Sequence, residues 1–349
     1  MKQRWTLVTG ASGFIGSRLV AALLDGGENV KAFVRPSSNL DHLRGFPSHR
    51  FTLAFGEITV EHTIYRALAG CDRMYHTAAN YRFGERRVDR VLNPTVDGTV
   101  AALSAARRRG IEKIVVTGST AALGVSQQPE PMDEEHAFDL ADPEPYSLAK
   151  YEADRRVQEF AAEGLPVVTV LPSAVVGPGD WKPTPTGEAI VRYLRMTSLR
   201  MPVAEGGLNL VDIDDVVAGH LLAMDKGKVG ERYILGGEDV TYEQLFEMLS
   251  ELTGLLPPRK VSKSTIELGA RLMELGARLR GGRPALTHRM ARDYVGAYLW
   301  VTSAKAKREL GYTHGPVRDA LARAVRWYLQ RGYVPEQAVR RVRLELRPT

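Results

Sequence analysis

The chain has 349 residues, of which 44% are hydrophobic and 25% are charged, a balance typical of a globular protein in water. Its apolar runs fall short of the roughly eighteen residues of a membrane span, and the segment Met1–Trp5 predicts no signal peptide. The single cysteine, Cys71, excludes an internal disulfide framework and a cysteine-rich metal site. We therefore expect a reducing, cytoplasmic setting and no metal.

The formal net charge of +6 is unevenly distributed along the chain. Residues 259–349 contain 20 lysines and arginines against 7 acidic residues, so the remainder is acidic. A basic C-terminal part can meet an anionic membrane surface, an anionic substrate or nucleic acid, or it can be a solvated helical surface. Because no nucleic-acid motif accompanies the charge, we expect no nucleic-acid partner, and peripheral membrane contact through this part stays open.

Short β-rich runs alternate with helical patterns in the first half of the chain. The first strand is predicted at Trp5–Thr9 and the first helix at Phe14–Leu24. Further strands are predicted at 30–34, 51–55, 73–77, 113–117 and 166–171. Strands that alternate with helices pair in parallel, and their nearly continuous apolar character fits a sheet buried on both faces. The pattern therefore predicts an α/β fold with a Rossmann-type, doubly wound parallel sheet.

The composition changes after Pro172. Residues 177–186 are rich in proline and glycine and predict a loop, and beyond them helices dominate, with short strands near 209–211 and 232–235. The expected division is a dinucleotide-binding part at 1–175 with returns of the chain near 205–240, an interleaved, smaller and mostly helical substrate-binding part at 176–330, and a basic tail at 331–349.

One segment of the second half, 264–279, is amphipathic. It carries four leucines on one helical face: Leu268, Leu272, Leu275 and Leu279. We expect this face to pack against the body of the protein; a membrane-facing or lid role is the alternative.

The segment Thr9-Gly10-Ala11-Ser12-Gly13-Phe14-Ile15-Gly16 joins the first strand to the first helix. The chain must turn sharply there and come close to a pyrophosphate, and glycine has no Cβ to obstruct either. The helix that follows directs its free N–H groups at the phosphates. Three glycines at such a junction predict dinucleotide binding. The residues expected to contact the dinucleotide are Gly10, Ser12, Gly13, Phe14, Ile15 and Gly16.

The end of the second strand distinguishes the two nicotinamide cofactors. An acidic residue there binds the ribose hydroxyls of NAD(H), whereas an arginine pairs with the 2′-phosphate of NADP(H). This chain has Arg35 directly after Val34 and no carboxylate before Asp41. A guanidinium suits phosphate because it offers several donors in a fixed fork. We therefore expect NADP(H) rather than NAD(H); an ordinary surface arginine is the alternative.

A Tyr-x-x-x-Lys pair opens a helix at Tyr146-Ser147-Leu148-Ala149-Lys150. The spacing of four places Tyr146 and Lys150 on one helical face. A phenol with a pKa near about 10 is a poor catalyst at neutral pH, and a cation one turn away is expected to lower that pKa. Ser119, just past the fifth strand, is expected to hydrogen-bond the substrate oxygen. Ser119, Tyr146 and Lys150 are therefore the predicted catalytic residues.

These motifs together resemble the extended short-chain dehydrogenase/reductase family over residues 1 to about 330. They are the Thr-Gly-x-x-Gly-x-x-Gly loop, the Tyr-x-x-x-Lys pair and the serine of Ser119-Thr120-Ala121-Ala122-Leu123-Gly124, for which Thr120 is the alternative. The resemblance implies that Lys150 holds the nicotinamide ribose, and that the helices carrying Val96 and Tyr146 pair in a homodimer. It also implies that Pro172, Ser173, Ala174 and Val175 lie along the nicotinamide, and that Thr77, Ala78 and Ala79 border the adenine-side ribose and pyrophosphate. Glu57, Ile58 and Thr117 complete the expected cofactor-binding set.

Two branches of the family compete. Many sugar-nucleotide epimerases carry an Asn-Val-x-Gly-Thr stretch, where this chain has Thr95-Val96-Asp97-Gly98-Thr99 after Pro94. The Pro-Thr-Val-x-Gly form and Arg35 resemble the dihydroflavonol reductase, cinnamoyl-CoA reductase and 3β-hydroxysteroid dehydrogenase branch. Four other segments, 70–72, 79–82, 177–187 and 206–212, resemble bacterial hopanoid-associated sugar epimerases, which group mechanistically with the dihydroflavonol reductase-like proteins.

The resemblance thus implies an NADP(H)-dependent oxidoreductase that reduces a ketone or aldehyde of a largely apolar small molecule, or oxidises the alcohol. Two alternatives stay open: an NAD-dependent sugar-nucleotide epimerase or dehydratase, and a non-catalytic NADP-sensing protein. Retention of all three catalytic residues counts against the sensor. The expected substrate wall, largely apolar or aromatic, is Tyr81, Arg82, Leu123, Val125 and Trp181.

Overall fold

The computed structural model describes residues 4–79, 89–138, 140, 142–196, 199–280 and 286–347. Strands and helices alternate through the first half. The strands there are β1 (Trp5–Thr9), β2 (Asn29–Val34), β3 (Phe51–Phe55), β4 (Cys71–His76), β5 (Lys113–Thr117) and β6 (Val167–Pro172). The helices are α1 (Phe14–Asp25), α2 (Glu61–Ala67), α3 (Asp89–Arg109) and α4 (Pro145–Ala162).

Helices and short strands make up the second half. Its strands are β7 (Ala174–Val176), β8 (Pro202–Val203), β9 (Gly207–Asp212), β10 (Arg232–Leu235), β11 (Glu238–Thr241), β12 (Arg259–Lys260) and β13 (Tyr298–Leu299). Its helices are α5 (Pro185–Arg195), α6 (Ile213–Lys226), α7 (Tyr242–Thr253), α8 (Lys263–Arg280), α9 (His288–Tyr294), α10 (Ala304–Leu310), α11 (Val317–Gln330) and α12 (Glu336–Val339).

Seven strands form one parallel sheet in the order β10-β6-β5-β4-β1-β2-β3. The order reverses at β1, which pairs with β2 on one side and with β4 on the other. The expected doubly wound α/β fold is confirmed. Ligands of such sheets bind beyond the carboxyl ends of the strands where the order reverses, which here are the ends of β1 and β4.

The sheet is buried on both faces because its strands are apolar at successive positions. Leu7 and Val8, neighbours on β1, belong to two different core clusters, one on each side of the sheet. A third cluster fills the smaller part and draws on α5, α7 and α11, for example Leu194, Leu249 and Val325. Burial of these apolar side chains is the main force that holds the layers together.

The last segment differs from the expected basic tail. Residues 331–347 fold back on the third core cluster, where Val334, Val342 and Leu346 are buried. Apolar residues interleaved with the arginines allow this packing: the arginines stay in water while the apolar side chains are buried.

The leucine face of α8 does not pack against the body, so that expectation is wrong. Leu268, Leu272, Leu275 and Leu279 are 60%, 61%, 54% and 81% exposed. The opposite side of the helix, which includes the fully buried Ala270, makes the contact with the rest of the protein. Within the ranges given above, no helix combines the length and the apolarity that a bilayer span needs.

Candidate active site

The glycine loop lies against the segment that follows β4. Gly10 has φ +67°, and a Cβ there would come within 2.7 Å of the Ala78 backbone. A Cβ on Gly16 would collide with the carbonyl group of Gly10 and lie 2.8 Å from Thr77 Oγ1. Glycine at both positions therefore lets the strand, the turn and the first helix pack closely, which brings the backbone within reach of a pyrophosphate.

The first turn of α1 is open to an anion. Its N-cap, Gly13, has no side chain to occupy the free N–H groups, and no acidic residue lies in the first turn. Thr77 and Ala78 lie beside the loop, because the Thr77 hydroxyl donates to Thr9 O at 2.7 Å and Ala78 N donates to Thr9 Oγ1 at 3.4 Å. This strand-end cradle fits the pyrophosphate of a dinucleotide.

Arg35 is exposed directly beyond β2. Over the ranges that the structure covers, no hydrogen bond or ion pair engages its guanidinium. Its loop lies beside the glycine loop, since Ser12 Oγ donates to Ser38 Oγ at 3.3 Å. Glu57 and Ile58 lie next to the same strand end, because Gly56 N donates to Val34 O at 3.1 Å. An exposed cation thus lies at the end of β2, beside the loop that carries Ser12.

Ser119 and Tyr146 form the centre of the site. Ser119 caps the turn after β5, where its Oγ accepts a hydrogen bond from Ala121 N at 3.2 Å, and its side chain also hydrogen-bonds the Tyr146 hydroxyl. Tyr146 stands in the first turn of α4, which begins sharply because the buried Glu144 accepts from Tyr146 N at 2.7 Å and Pro145 follows it. The cap fixes the Tyr146 backbone opposite Ser119.

Lys150 lies one turn further along α4, buried beneath the strand ends. Its Nζ donates to the carbonyl oxygens of Thr117 and Gly118 at 3.4 and 3.3 Å. Burial lowers the pKa of Lys150 to about 8, and the Asp154 carboxylate opposes that shift. Asp154 is itself paired with Arg232 on β10 at 3.0 Å. A chain of alternating charges therefore runs from the catalytic helix to the edge of the sheet.

The expected lowering of the Tyr146 pKa is not found. Burial raises the pKa of Tyr146 to about 12, and the hydrogen bond with Ser119 opposes the rise only in part. The desolvation cost of a buried phenolate outweighs the help expected from a neighbouring lysine. At neutral pH Tyr146 is therefore a protonated hydrogen-bond donor, the form that a carbonyl reduction requires.

A small cavity lies beside Lys150 and is lined by His76, Thr95 and Thr99. His76 Nδ1 is 2.9 Å from Thr9 Oγ1, and burial together with the Lys150 charge lowers the pKa of His76 to about 3. The Thr95 hydroxyl is buried without a hydrogen-bond partner among the residues described. Thr95, which stands where many epimerases carry asparagine, thus faces the same cavity as the catalytic lysine.

The segment after β6 approaches the site from the other side. Ser173 N donates to Leu235 O at 3.2 Å, and the Ser173 hydroxyl is buried without a partner in the described part of the chain. The next residues, Ala174 to Val176, leave the main sheet and pair with β9. An unsatisfied hydroxyl at the carboxyl end of a central strand fits contact with a bound nicotinamide.

The expected substrate wall is largely absent from the surface. Leu123 is fully buried in a core cluster and Val125 is 4% exposed, so neither side chain offers area to a substrate. Both follow β5 closely, and Leu123 packs with Leu171 and Ile234 in that cluster. Trp181 is half-buried, stacked on His42 and beside Trp327. Tyr81 and Arg82 lie outside the described residues.

Four residues of the site escaped the sequence analysis: His76, Glu144, Asp154 and Tyr294. The pair Glu144-Pro145 is a helix-start signal that the sequence pattern contains. Asp154 lies four residues after Lys150 on the same helix. Tyr294, whose hydroxyl lies 2.7 Å from Ser147 Oγ, comes from α9 and could not have been placed beside Tyr146 from sequence.

Comparison with known proteins agrees with the fold described above. Residues 6–236 match the model of a family described as the NAD dependent epimerase/dehydratase family. The chain is 35% identical over 336 residues to a putative dihydroflavonol 4-reductase of Synechocystis sp., with 95% of this chain and 96% of that protein covered. It is 36% identical over 338 residues to sterol demethylase protein B of Methylococcus capsulatus, covering 94% and 99%. The crystal structure of gox2253 superposes with a TM-score of 0.81 at 36% identity, covering 94% and 99%.

Proposed function

Because this chain belongs to the NAD dependent epimerase/dehydratase family, we propose that it is an NADP(H)-dependent reductase of a ketone or aldehyde carried by a largely apolar small molecule, or catalyses the reverse oxidation. The observation that carries the proposal is the hydrogen-bonded pair of Ser119 and Tyr146 beside Lys150, at the end of the central strands. The pair presents two hydroxyl donors to one oxygen atom of a substrate.

Ser119, Tyr146 and Lys150 have separate roles in the reduction. The bound dinucleotide would supply a hydride to the carbonyl carbon. Tyr146, protonated because its pKa is raised to about 12, gives its proton to the carbonyl oxygen, and the Ser119 hydroxyl holds that oxygen by a hydrogen bond. Lys150, held by the carbonyl groups of Thr117 and Gly118, stabilises the phenolate that Tyr146 becomes.

The preference for NADP(H) rests on Arg35. Its guanidinium follows β2 in the position from which family members contact the adenine-side ribose, and no carboxylate occurs before Asp41. Asp41 itself forms an ion pair with Arg44 at 3.1 Å, so it does not neutralise Arg35. A 2′-phosphate would meet the exposed Arg35 guanidinium there, whereas the ribose hydroxyls of NAD(H) would find no carboxylate on the segment directly after β2.

The apolar character of the substrate rests on the relatives. One is named a dihydroflavonol 4-reductase and another a sterol demethylase protein, and each aligns over nearly the whole of this chain. Polycyclic molecules of low polarity are therefore the substrate class we favour. Since Leu123 and Val125 are core residues, other side chains contact such a substrate.

The test compares two panels of compounds. Aromatic and polycyclic ketones are incubated with NADPH and followed by its absorbance, and nucleotide sugars are incubated without added cofactor and followed by chromatography. We expect NADPH consumption with at least one ketone, lost in Tyr146→Phe, which removes a single oxygen atom. Epimerised or dehydrated sugar without cofactor consumption would replace the proposal with a sugar-nucleotide epimerase or dehydratase.

A further inference from the structure

The apolar face of α8 is the largest group of exposed apolar side chains on one element in the described structure. It consists of Leu268, Leu272, Leu275 and Leu279, each more than half exposed, with Met273 at 40% beside them. Other amphipathic helices of the same part bury their apolar faces, as Ile190 and Leu194 do on α5. Exposure of a leucine face to water is unfavourable, so we expect a surface of low polarity to cover it.

The polar side of α8 fixes the helix so that the leucines point outward. Arg271 Nη2 lies 3.0 Å from His288 Nε2, and Glu274 accepts from His288 N at 3.0 Å. Lys263 donates to the Arg292 carbonyl oxygen at 3.4 Å. These contacts join α8 to α9 and leave the opposite, leucine-bearing face free. The helix is therefore held on the protein surface as a preformed amphipathic element.

The pair of helices adjoins the catalytic site. Tyr294, the last residue of α9, lies with its hydroxyl 2.7 Å from Ser147 Oγ, and Ser147 follows the catalytic Tyr146 in the chain. The α8–α9 pair thus contacts the first turn of α4, the helix that carries Tyr146.

The charge of the chain segment that carries α8 favours one covering surface. The helix and the chain after it lie within the strongly basic residues 259–349. Two copies of this chain meeting through α8 would bring two such basic parts together, at an electrostatic cost. An anionic bilayer offers what both properties require: an apolar layer for the leucines and negative headgroups for the arginines and lysines.

We propose that α8 docks this protein on anionic phospholipid bilayers, with its leucines in the headgroup–acyl boundary. The helix lies in the plane of the interface rather than across the membrane, because its opposite face is bound to α9. The role of this docking in supplying an apolar substrate rests on the proposed function, whereas the docking itself does not.

The experiment measures co-sedimentation of the intact protein with vesicles. Phosphatidylcholine vesicles are compared with vesicles in which half of the lipid is phosphatidylglycerol, at low and at high NaCl. We expect the wild type to sediment with the anionic vesicles, less so at high salt, and not with phosphatidylcholine alone. The double variant Leu272→Glu/Leu275→Glu should bind the anionic vesicles at least about tenfold less tightly, because two large apolar contacts are lost.

A matched control is Val229→Glu, which places the same carboxylate on another exposed apolar residue, 52% exposed and outside the basic part. It should sediment as the wild type does. Thermal melting and turnover of a water-soluble carbonyl substrate show whether the variants fold; should the double variant melt early, Leu268→Glu replaces it.

Three results would overturn the docking. In the first, the wild type does not bind anionic vesicles. In the second, the double variant binds them as tightly as Val229→Glu does. In the third, light scattering shows that the wild type is a dimer and the double variant a monomer. The last would identify a second copy as the partner of α8. Because vesicle binding is measured without substrate, its failure is distinct from failure of the reductase assay.

Discussion

Replacing Arg35 by alanine tests the cofactor preference at a single side chain. Charge-assisted hydrogen bonds contribute roughly 1.5–3 kcal/mol, and because Arg35 is exposed, screening by water and salt places its contribution near the lower end. That corresponds to about a tenfold loss of NADPH affinity. NADH, which has no 2′-phosphate, should bind Arg35→Ala about as well as it binds the wild type.

The assay is fluorescence titration of the purified protein with each cofactor at two salt concentrations. Arg44→Ala is the control, because Arg44 is exposed nearby but already paired with Asp41 at 3.1 Å; it should leave both affinities unchanged. Higher salt should weaken NADPH binding more than NADH binding in the wild type alone. An equal loss for both cofactors in Arg35→Ala, or tighter NADH binding by the wild type, would refute the reasoning.

Four further outcomes are expected. Tyr146→Phe should keep its fold and NADPH affinity while steady-state turnover falls by roughly 10²–10⁴-fold; near-normal turnover would place the proton donor elsewhere. Because burial lowers the pKa of Lys150 to about 8, its ammonium form is lost above that pH, and kcat for reduction should fall as the pH rises through about 8; a profile flat across that pH would contradict the role of its charge. Arg232→Met removes the ion-pair partner of the buried Asp154 carboxylate and should lower the free energy of unfolding in urea by about 3–5 kcal/mol, far more than Arg44→Met on the surface. Gly16→Ala, whose Cβ would meet Gly10 and Thr77, should lower Tm and weaken dinucleotide binding, whereas Gly276→Ala, which faces open space, should do neither.

Features that depend on a few consecutive residues could be predicted from the sequence. The strands β1, β3 and β5 have the predicted bounds, because turn residues on either side of an apolar run leave few positions at which the strand can begin or end. The glycine loop and the Tyr-x-x-x-Lys helix were also predictable, since each motif lies within a few consecutive residues. The position of Glu144 at the start of that helix was predictable for the same reason.

Properties that depend on distant parts of the chain were not predictable. Leu123 is apolar and follows Ser119 closely, yet whether it faces a substrate or the core depends on Leu171 and Ile234, which pack against it from other strands. The pKa of Tyr146 likewise depends on burial by neighbours that the motif does not include. The leucine face of α8 has the sequence pattern of a packed face, but no other element in the described ranges covers it.

The position of β10 at the edge of the main sheet makes the two parts of the protein one folding unit. Residues 232–235 lie about sixty residues beyond β6 in the chain, yet they pair with β6 and bring Arg232 to Asp154 on α4. A fragment that stops at residue 175 would expose the whole apolar edge of β6, an open template for aggregation, and would bury a carboxylate without its cation. Residues 1–175 are consequently no autonomous module: their sheet reaches its final form only when residues 232–235 have paired with β6.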